Sequence, residues 1–243
     1  MTVLHVPRRF CGPPASGNGG WTAGALAVLV GAPGPVEVTL RRPPPLEVAM
    51  PVQADGERQV ARWGEDVIAE ARPVSDKLTP VEPVDPVTAG AAEATYAGHR
   101  GHPFPTCFSC GPARDHGDGL RIFPGLVGPD RVAATWRPTP DLADPARPDA
   151  TTAPVTWAAL DCVSAWAADV AERPMVLGRM TACIDAAPLL DDLHVVTGEV
   201  RGEDGRKTFT ASTLYDPDGR IVARAEHVWI RVDPAAFGPG PTS

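Results

Sequence analysis

An internal repeat constrains the fold of this 243-residue chain more than any other feature of its sequence. Residues 67–74 read VIAEARPV and residues 221–228 read IVARAEHV, with small or branched apolar residues at matching places. Each copy follows a polar turn, strands of alternating character, a proline-marked bend and an apolar helix candidate. One helix followed by an antiparallel meander, occurring twice, predicts two α+β units whose sheets join edge to edge or pack face to face.

Hydrophobic periodicity places the elements of both units in a common order. In the first unit we expect a strand over 2–6, a helix over about 20–31, and strands near 36–41, 46–53, 57–63 and 66–73. In the second we expect strands near 119–123 and 131–136, a helix over 155–171, and strands near 175–184, 194–201, 206–214 and 220–232. The stretch 75–105, rich in proline and alanine, is the natural connector.

Charge and composition argue against two classes of function. The formal net charge is −8 and no basic stripe is present, so a general nucleic-acid partner is not expected. No apolar run reaches the length of a membrane span and no export signal opens the chain, so we expect a cytoplasmic protein without a membrane partner. Five cysteines, an odd number without such a signal, favour free thiols over disulfides.

The stretch SGNGGWTAGALAVLVG, residues 16–31, leads a glycine-rich segment directly into an apolar helix candidate. The first N–H groups of a helix lack internal partners and lie at the positive end of its dipole, so they favour binding an oxygen. The glycines do not fit Gly-x-Gly-x-x-Gly, and no Gly-Lys-Ser/Thr follows them. A nucleotide phosphate is therefore not the expected ligand.

The residues around this turn resemble those of the hotdog-fold acyl-CoA thioesterases, in particular the PaaI-like and double-hotdog members. Relatives open their central helix with His-Gly-Gly and carry Asp or Glu nine residues after the His. Here Asn18-Gly19-Gly20 matches the turn, but Ala27 stands at the acidic position. In the second half Asp161 follows Thr152 by nine residues, but alanine and proline replace the two glycines. Each half has kept what the other has lost.

A second match is the run CFSCG at 107–111 followed by DGLRI at 118–122, similar to the Cys-x-x-Cys-Gly…Gly-Leu segment of many such thioesterases. The resemblance implies two tandem hotdog folds, each an antiparallel sheet around a central helix, forming an intramolecular pseudo-dimer. The domains would be 1–78, a linker over 79–105, 106–235, and a tail over 236–243.

The resemblance also implies the substrate. It would be an acyl-CoA or acyl-carrier-protein thioester, with no cofactor beyond the coenzyme A of the substrate. Fused pseudo-dimers still leave sheet edges and faces to cover, so a homodimer of pseudo-dimers remains open.

Thioester hydrolysis requires hydrogen-bond donors for the oxygen that becomes negative, and a base or nucleophile beside the carbonyl carbon. We expect the N–H groups of Gly19 and Gly20, in the turn that begins at Asn18, to hold this oxygen. Asp161 would act as general base or nucleophile, with a pKa raised by its apolar helix neighbours. Helical spacing makes Ser164 the nearest candidate for orienting Asp161 or the water.

Five residues are candidate substrate contacts, and four of them have a structural alternative. Trp21 and Trp157, with Trp166, would line an acyl pocket or simply belong to the core. Thr152, which stands in place of the turn His, is included with them. Arg41 and Arg42 would meet the phosphates of coenzyme A or form a solvated rim.

The pair Cys107-x-x-Cys110, with His102 and His116 nearby, has half of a zinc signature. A second Cys-x-x-Cys or a His-x₃₋₅-His pair is missing, so packed free thiols are favoured and no metal is expected. Cys162 is expected to be a core thiol on another side of the helix from Asp161.

Two rival functions stay open. A protein that binds an acyl thioester without cleaving it is favoured by the loss of the turn His in both halves. A hotdog dehydratase or hydratase ranks lower, because such sites pair a His with an acid and no predicted helix carries a His.

Overall fold

The computed structural model describes residues 2–233. The elements before the connector are β1 (Thr2–His5), α1 (Gly19–Ala27), β2 (Val36–Leu40), β3 (Ala49–Asp55), β4 (Arg58–Trp63) and β5 (Asp66–Pro73). Those that follow are α2 (Pro86–Ala92), β6 (Gly125–Gly128), β7 (Arg131–Trp136), β8 (Ala143–Asp144), β9 (Arg147–Thr151), α3 (Ala153–Asp161), α4 (Val163–Ala167), β10 (Met175–Ile184), β11 (His194–Asp204), β12 (Lys207–Tyr215) and β13 (Ile221–Arg231).

Eleven of these strands form one antiparallel sheet, in the order β1-β3-β4-β5-β2-β10-β13-β12-β11-β7-β6. The seam lies where β2 pairs with β10, with Val36 opposite Ala182 and Thr39 opposite Arg179. Outward from the seam, the strand order runs the same way on both sides. Of the two arrangements predicted, the sheets therefore join edge to edge.

The two copies of the repeat occupy equivalent strands. Residues 67–74 fall on β5 and residues 221–228 on β13, and each strand pairs with the seam strand of its own half. Three buried positions correspond, Ile68, Ala69 and Ala71 in the first copy and Val222, Ala223 and Ala225 in the second, whereas His227 is buried and its counterpart Pro73 is half-buried. The repeat records the same contact in each half, since β5 packs against α1 and β13 packs against α3.

The two helices α1 and α3 pack against each other, and glycine makes this contact close. A Cβ at Gly24 would lie 2.8 Å from the Cα of Pro154 and 2.8 Å from the Cβ of Trp157, a distance that packed atoms do not tolerate. Leu26 of α1 and Leu160 of α3 are fully buried in the shared core. This close packing brings the start of α1 to the end of α3.

Several predicted elements differ from the structure, and the helix predicted over about 20–31 ends at Ala27. Residues 119–123 are not a strand, because the N–H groups of Leu120 and Ile122 bond the carbonyls of Phe108 and Ser109 instead of a sheet neighbour. The strand before β7 is β6, a few residues later. The helix predicted over 155–171 begins earlier, breaks after Asp161, and resumes as the short α4.

The connector contains a helix, although its proline- and alanine-rich sequence predicts none. Asp85 caps α2 by accepting a hydrogen bond from the Thr88 N–H at 2.9 Å, and Pro86 follows at the first helical position. Ala89 of α2 is buried against Ala133 and Val195 of the sheet.

The predicted domain boundaries stay predictions, and the tail over 236–243 lies outside the described residues. Between residues 2 and 233, no helix combines the length and apolar character needed to cross a membrane.

Candidate active site

Asn18 organises the turn that begins α1. Its Oδ1 accepts a hydrogen bond from the Trp21 N–H at 2.8 Å, which makes it the N-cap of the helix. Its Nδ2 donates to Ser109 Oγ at 3.1 Å, and Ser109 in turn donates to the carbonyl of Ala158 in α3. Asn18, which stands in place of the turn His, is buried. Through Ser109 it links α1 to the second half of the chain.

Asp161, the last residue of α3, lies directly against this turn. Its Oδ2 accepts a hydrogen bond from the Gly20 N–H at 2.9 Å, whereas its Oδ1 is buried without a hydrogen-bond partner among the described residues. Burial raises the pKa of Asp161 to about 7, against the opposing effect of the Gly20 bond. The structure thus brings together the acid of one half and the glycine turn of the other.

The glycines of the turn have different surroundings. A Cβ at Gly20 would lie 2.5 Å from the Cβ of Asp161, so only glycine lets the carboxyl approach the helix so closely. The expectation that the N–H of Gly20 is open to a substrate is corrected, because this donor already serves the carboxylate. The neighbouring N–H of Gly19 makes no hydrogen bond to the described residues.

A cavity of about 330 Å³ opens beside these groups. Asn18, Gly19 and Asp161 line it, together with the predicted pair Arg41 and Arg42. The remaining wall is mainly apolar and includes Leu40, Phe104, Trp166, Val170, Met175, Leu177 and Trp229. Both arginines are exposed and already paired, Arg41 with Glu70 at 3.3 Å and Arg42 with Asp66 at 3.1 Å. The cavity therefore joins a buried acid, an open amide and a basic rim.

Ser164 makes no hydrogen bond to Asp161, contrary to the prediction from helical spacing. The helix breaks between them, and α4 packs so closely on β11 that a Cβ at Gly198 would lie 2.8 Å from the Cα of Ser164. The Ser164 hydroxyl accepts a hydrogen bond from Thr210 Oγ1 at 2.7 Å and pairs with His227 Nδ1 at 3.3 Å. It belongs to a separate buried network.

Three other predicted contacts lie outside the cavity wall. Trp21 stacks on Phe10 with ring centroids 4.2 Å apart. Trp157 is buried against α1, because the missing side chain at Gly24 leaves room for it. Thr152 caps α3 by accepting a bond from the Val155 N–H at 3.4 Å. These three residues pack against or cap α1 and α3. Of Trp21, Trp157 and Trp166, only Trp166 lines the cavity.

Three thiols that are distant in sequence lie together in the cavity wall. The sulfur atoms of Cys107, Cys110 and Cys162 all lie within 4.8 Å of one another. The interpretation of Cys162 as a thiol facing away from Asp161 is corrected, since its Sγ lies 3.9 Å from Asp161 Oδ2. The spacing of residues 107, 110 and 162 does not predict that their sulfurs meet, because the contact depends on how the loop over 107–111 packs on α3.

Comparisons with known proteins support the fold. No protein-family model matches the sequence, and no curated protein matches it. The solved tesB protein of Mycobacterium avium subsp. paratuberculosis is similar over 95% of this chain and 91% of its own, with a TM-score of 0.56 and 15% identity. This likeness is one of fold alone, and the chain has a hotdog-type fold.

Two further solved structures match about half of the chain. AziG of S. sahachiroi covers 46% of this chain and 94% of its own, at 23% identity and a TM-score of 0.41. The E. coli PaaI protein also covers 46% of this chain and 84% of its own, at 14% identity and a TM-score of 0.42. At these TM-scores neither adds to the assignment of the fold.

Proposed function

We propose that this chain is a thioesterase that hydrolyses an acyl thioester of coenzyme A or of an acyl-carrier protein. We further propose that it is a tandem pair of hotdog folds, divided at 1–78, 79–105 and 106–235. The strand order, which repeats outward from the β2–β10 seam, supports this pairing. So does the equivalence of β5 and β13.

One observation carries the proposed activity, namely the buried carboxyl of Asp161 at the glycine turn that begins α1. The two groups come from different halves, and they meet at 2.9 Å between Gly20 N and Asp161 Oδ2. The equivalent pair, formed by the turn that begins α3 and the end of α1, cannot work in the same way. Ala27 lacks a carboxyl and Pro154 has no N–H to donate. One site per chain follows.

The chemistry assigns a task to each group at this site. A thioester carbonyl oxygen at the start of α1 would accept a hydrogen bond from the Gly19 N–H and be stabilised by the positive end of the helix dipole. The unpaired Oδ1 of Asp161 would take a proton from a water that attacks the carbonyl carbon. Alternatively, Oδ1 would itself attack that carbon to give an acyl–aspartyl anhydride, which a water then hydrolyses to the free acid and the Asp161 carboxylate. In both routes the carbon–sulfur bond breaks and the thiolate leaves.

The cavity wall suits the rest of an acyl-CoA. Arg41 and Arg42 lie on its exposed side, where they would exchange Glu70 and Asp66 for phosphate oxygens. The apolar wall around Met175 would hold the acyl group.

Binding without cleavage is the second candidate, and one observation favours it. Because Asp161 occupies the Gly20 N–H, a single main-chain donor of the turn is open to a substrate oxygen in this conformation. A hydratase has less support. His102 lines the cavity, but its two ring nitrogens are engaged by Cys110 Sγ and the Phe104 N–H.

Thiol release from a series of acyl-CoA thioesters of increasing chain length tests the proposal. We expect wild type to turn over at least one of them and Asp161→Asn to lose that turnover while keeping its circular dichroism spectrum. Asp218→Asn, at an exposed carboxyl of the β12–β13 turn, is the matched control and should keep full activity. Turnover retained by Asp161→Asn would refute the assignment, and tight binding without turnover by wild type would favour the binding protein.

A further inference from the structure

We propose that Cys107, Cys110 and Cys162 form a binding site for a thiophilic divalent cation of the Zn²⁺ class. The site would lie in the wall of the cavity described above. The inference rests on the three thiols and their hydrogen-bond donors, and it holds whether or not the chain hydrolyses thioesters.

The distances between the sulfur atoms suit a tetrahedral ion. All three sulfurs lie within 4.8 Å of one another, and those of Cys107 and Cys162 are 3.6 Å apart. Zinc–sulfur bonds of about 2.3 Å in a tetrahedral arrangement place sulfurs about 3.8 Å from each other. Shifts of less than about 1 Å in the sulfur positions would therefore bring all three to a common ion.

The ligands come from two distant segments that the fold holds together. Cys107 and Cys110 have the Cys-x-x-Cys spacing that supplies two ligands to many zinc sites. Cys162 directly follows the last residue of α3, and Ser109, between the two loop thiols, donates to the Ala158 carbonyl of the same helix at 2.8 Å. The loop and the helix are thus fixed to each other without an ion, so the ligands are arranged before it binds.

Hydrogen-bond donors surround the sulfurs in a way that suits negative charge. Asn18 Nδ2 points to Cys107 Sγ at 3.7 Å and to Cys162 Sγ at 4.0 Å. His102 Nε2 lies 3.3 Å from Cys110 Sγ, and its Nδ1 accepts a bond from the Phe104 N–H at 2.8 Å. That bond places the ring proton on Nε2, so His102 donates to the sulfur. Such N–H donors around metal-bound sulfur stabilise the thiolate form.

The arrangement provides three protein ligands and leaves a fourth position. His102 and Asp161 are not counted as ligands, because His102 Nε2 directs its proton to Cys110 Sγ and Asp161 Oδ2 accepts the Gly20 N–H. All three cysteines line the cavity, from which a water would complete the tetrahedron. Three thiols that bind as thiolates release three protons, and the resulting charge of −1 would be offset in part by the Asn18 and His102 donors.

Cobalt(II) spectroscopy of the full chain tests this directly. The protein is purified with a phosphine reductant, stripped with a chelator and titrated with Co²⁺. We expect one Co²⁺ per chain, with sulfur-to-cobalt charge-transfer bands and the visible bands of tetrahedral Co²⁺, and displacement of both by Zn²⁺. Metal content of the untreated protein, measured by mass spectrometry, should reach about one Zn²⁺ per chain.

Cysteine variants locate the site. Cys162→Ser should weaken Co²⁺ binding by more than the roughly 10–100-fold typical of losing an outer hydrogen-bond partner of a metal ligand. Cys183→Ser, at a thiol of β10 outside the cluster, should leave the spectrum unchanged. If the ligand variants fail to fold, the wild-type spectrum and metal content decide alone.

Three results would overturn the proposal. They are wild-type protein that takes up Co²⁺ without thiolate bands, bands that survive Cys162→Ser, and, in protein purified without the reductant, an intact mass two hydrogens low from a disulfide in place of bound metal. None of these measurements depends on turnover, so failure here leaves the proposed hydrolysis untouched.

Discussion

Replacing Gly20 with alanine would place a methyl group where the packed helices leave no room for it. A Cβ at this position would lie 2.5 Å from Asp161 Cβ and 2.7 Å from the carbonyl oxygen of Trp157. Neither neighbour is the free end of a flexible side chain, so α1 and α3 would have to move apart. We expect a cost at the upper end of the roughly 1–3 kcal/mol typical of overpacked cores.

Helix propensity works against this cost, because alanine is favoured over glycine in a helix by about 0.5–1 kcal/mol. The net loss expected for Gly20→Ala is therefore about 2 kcal/mol. In a chain of 150–250 residues each kcal/mol shifts Tm by about 2–4 °C, so the Tm should fall by about 4–8 °C. If the proposed chemistry holds, turnover should fall on the order of 10²-fold as well, since a carboxyl displaced by about 1 Å loses its alignment.

Gly90→Ala is the matched control for this experiment. Gly90 lies in α2 and is exposed, and a Cβ there would meet only Thr135 Cγ2, at an ordinary 3.7 Å. The same substitution in a helix should here stabilise the protein by about 0.5–1 kcal/mol. Calorimetry and urea unfolding of the two variants give the comparison. A Gly20→Ala protein as stable as wild type would refute the close helix contact on which the site depends.

Two further predictions concern charge. Burial lowers the pKa of His227 to about 3, so the neutral imidazole contributes its full stabilisation above about pH 6.5, the pKa of an unfolded His. As pH falls from about 6.5 to 3, the free energy of unfolding measured with urea should fall by about 1.4 kcal/mol per pH unit. His227→Gln should lose this part of the pH dependence. Arg41→Gln combined with Arg42→Gln should raise KM for acyl-CoA on the order of a hundredfold or more with kcat little changed, because each of the two phosphate contacts contributes about 1.5–3 kcal/mol. For a short thioester without phosphates, wild type and the double variant should have the same KM. An equal rise in KM for that substrate would contradict the phosphate contact.

Period-2 alternation was sufficient to locate most of the sheet from the sequence. The strand predicted near 175–184 is Met175–Ile184, and the one near 36–41 is Val36–Leu40. Alternation misled at 119–123, where Leu120 and Ile122 are buried as a strand would bury them. Their N–H groups donate to carbonyls of the loop over 107–111 instead of to a sheet strand. Local pattern reports burial, and it does not report which backbone supplies the partner.

The candidate site was predictable only in part, and for a different reason. The pairing of Asp161 with the glycine turn came from the resemblance, which supplied the spacing in each half. The break after Asp161 removed Ser164 from the site, and it depends on how α4 meets β11 at Gly198. The approach of Cys162 to Cys107 likewise depends on tertiary packing, because the two are 55 positions apart.

The β2–β10 seam lies within one polypeptide, and this has a consequence for dilution. Two separate chains that shared such a cavity would lose it whenever their concentration fell below their dissociation constant. Covalently connected halves face each other at an effective concentration on the order of millimolar, whatever the number of molecules in solution. A cavity that spans the seam therefore stays assembled in a cell that makes only a few copies.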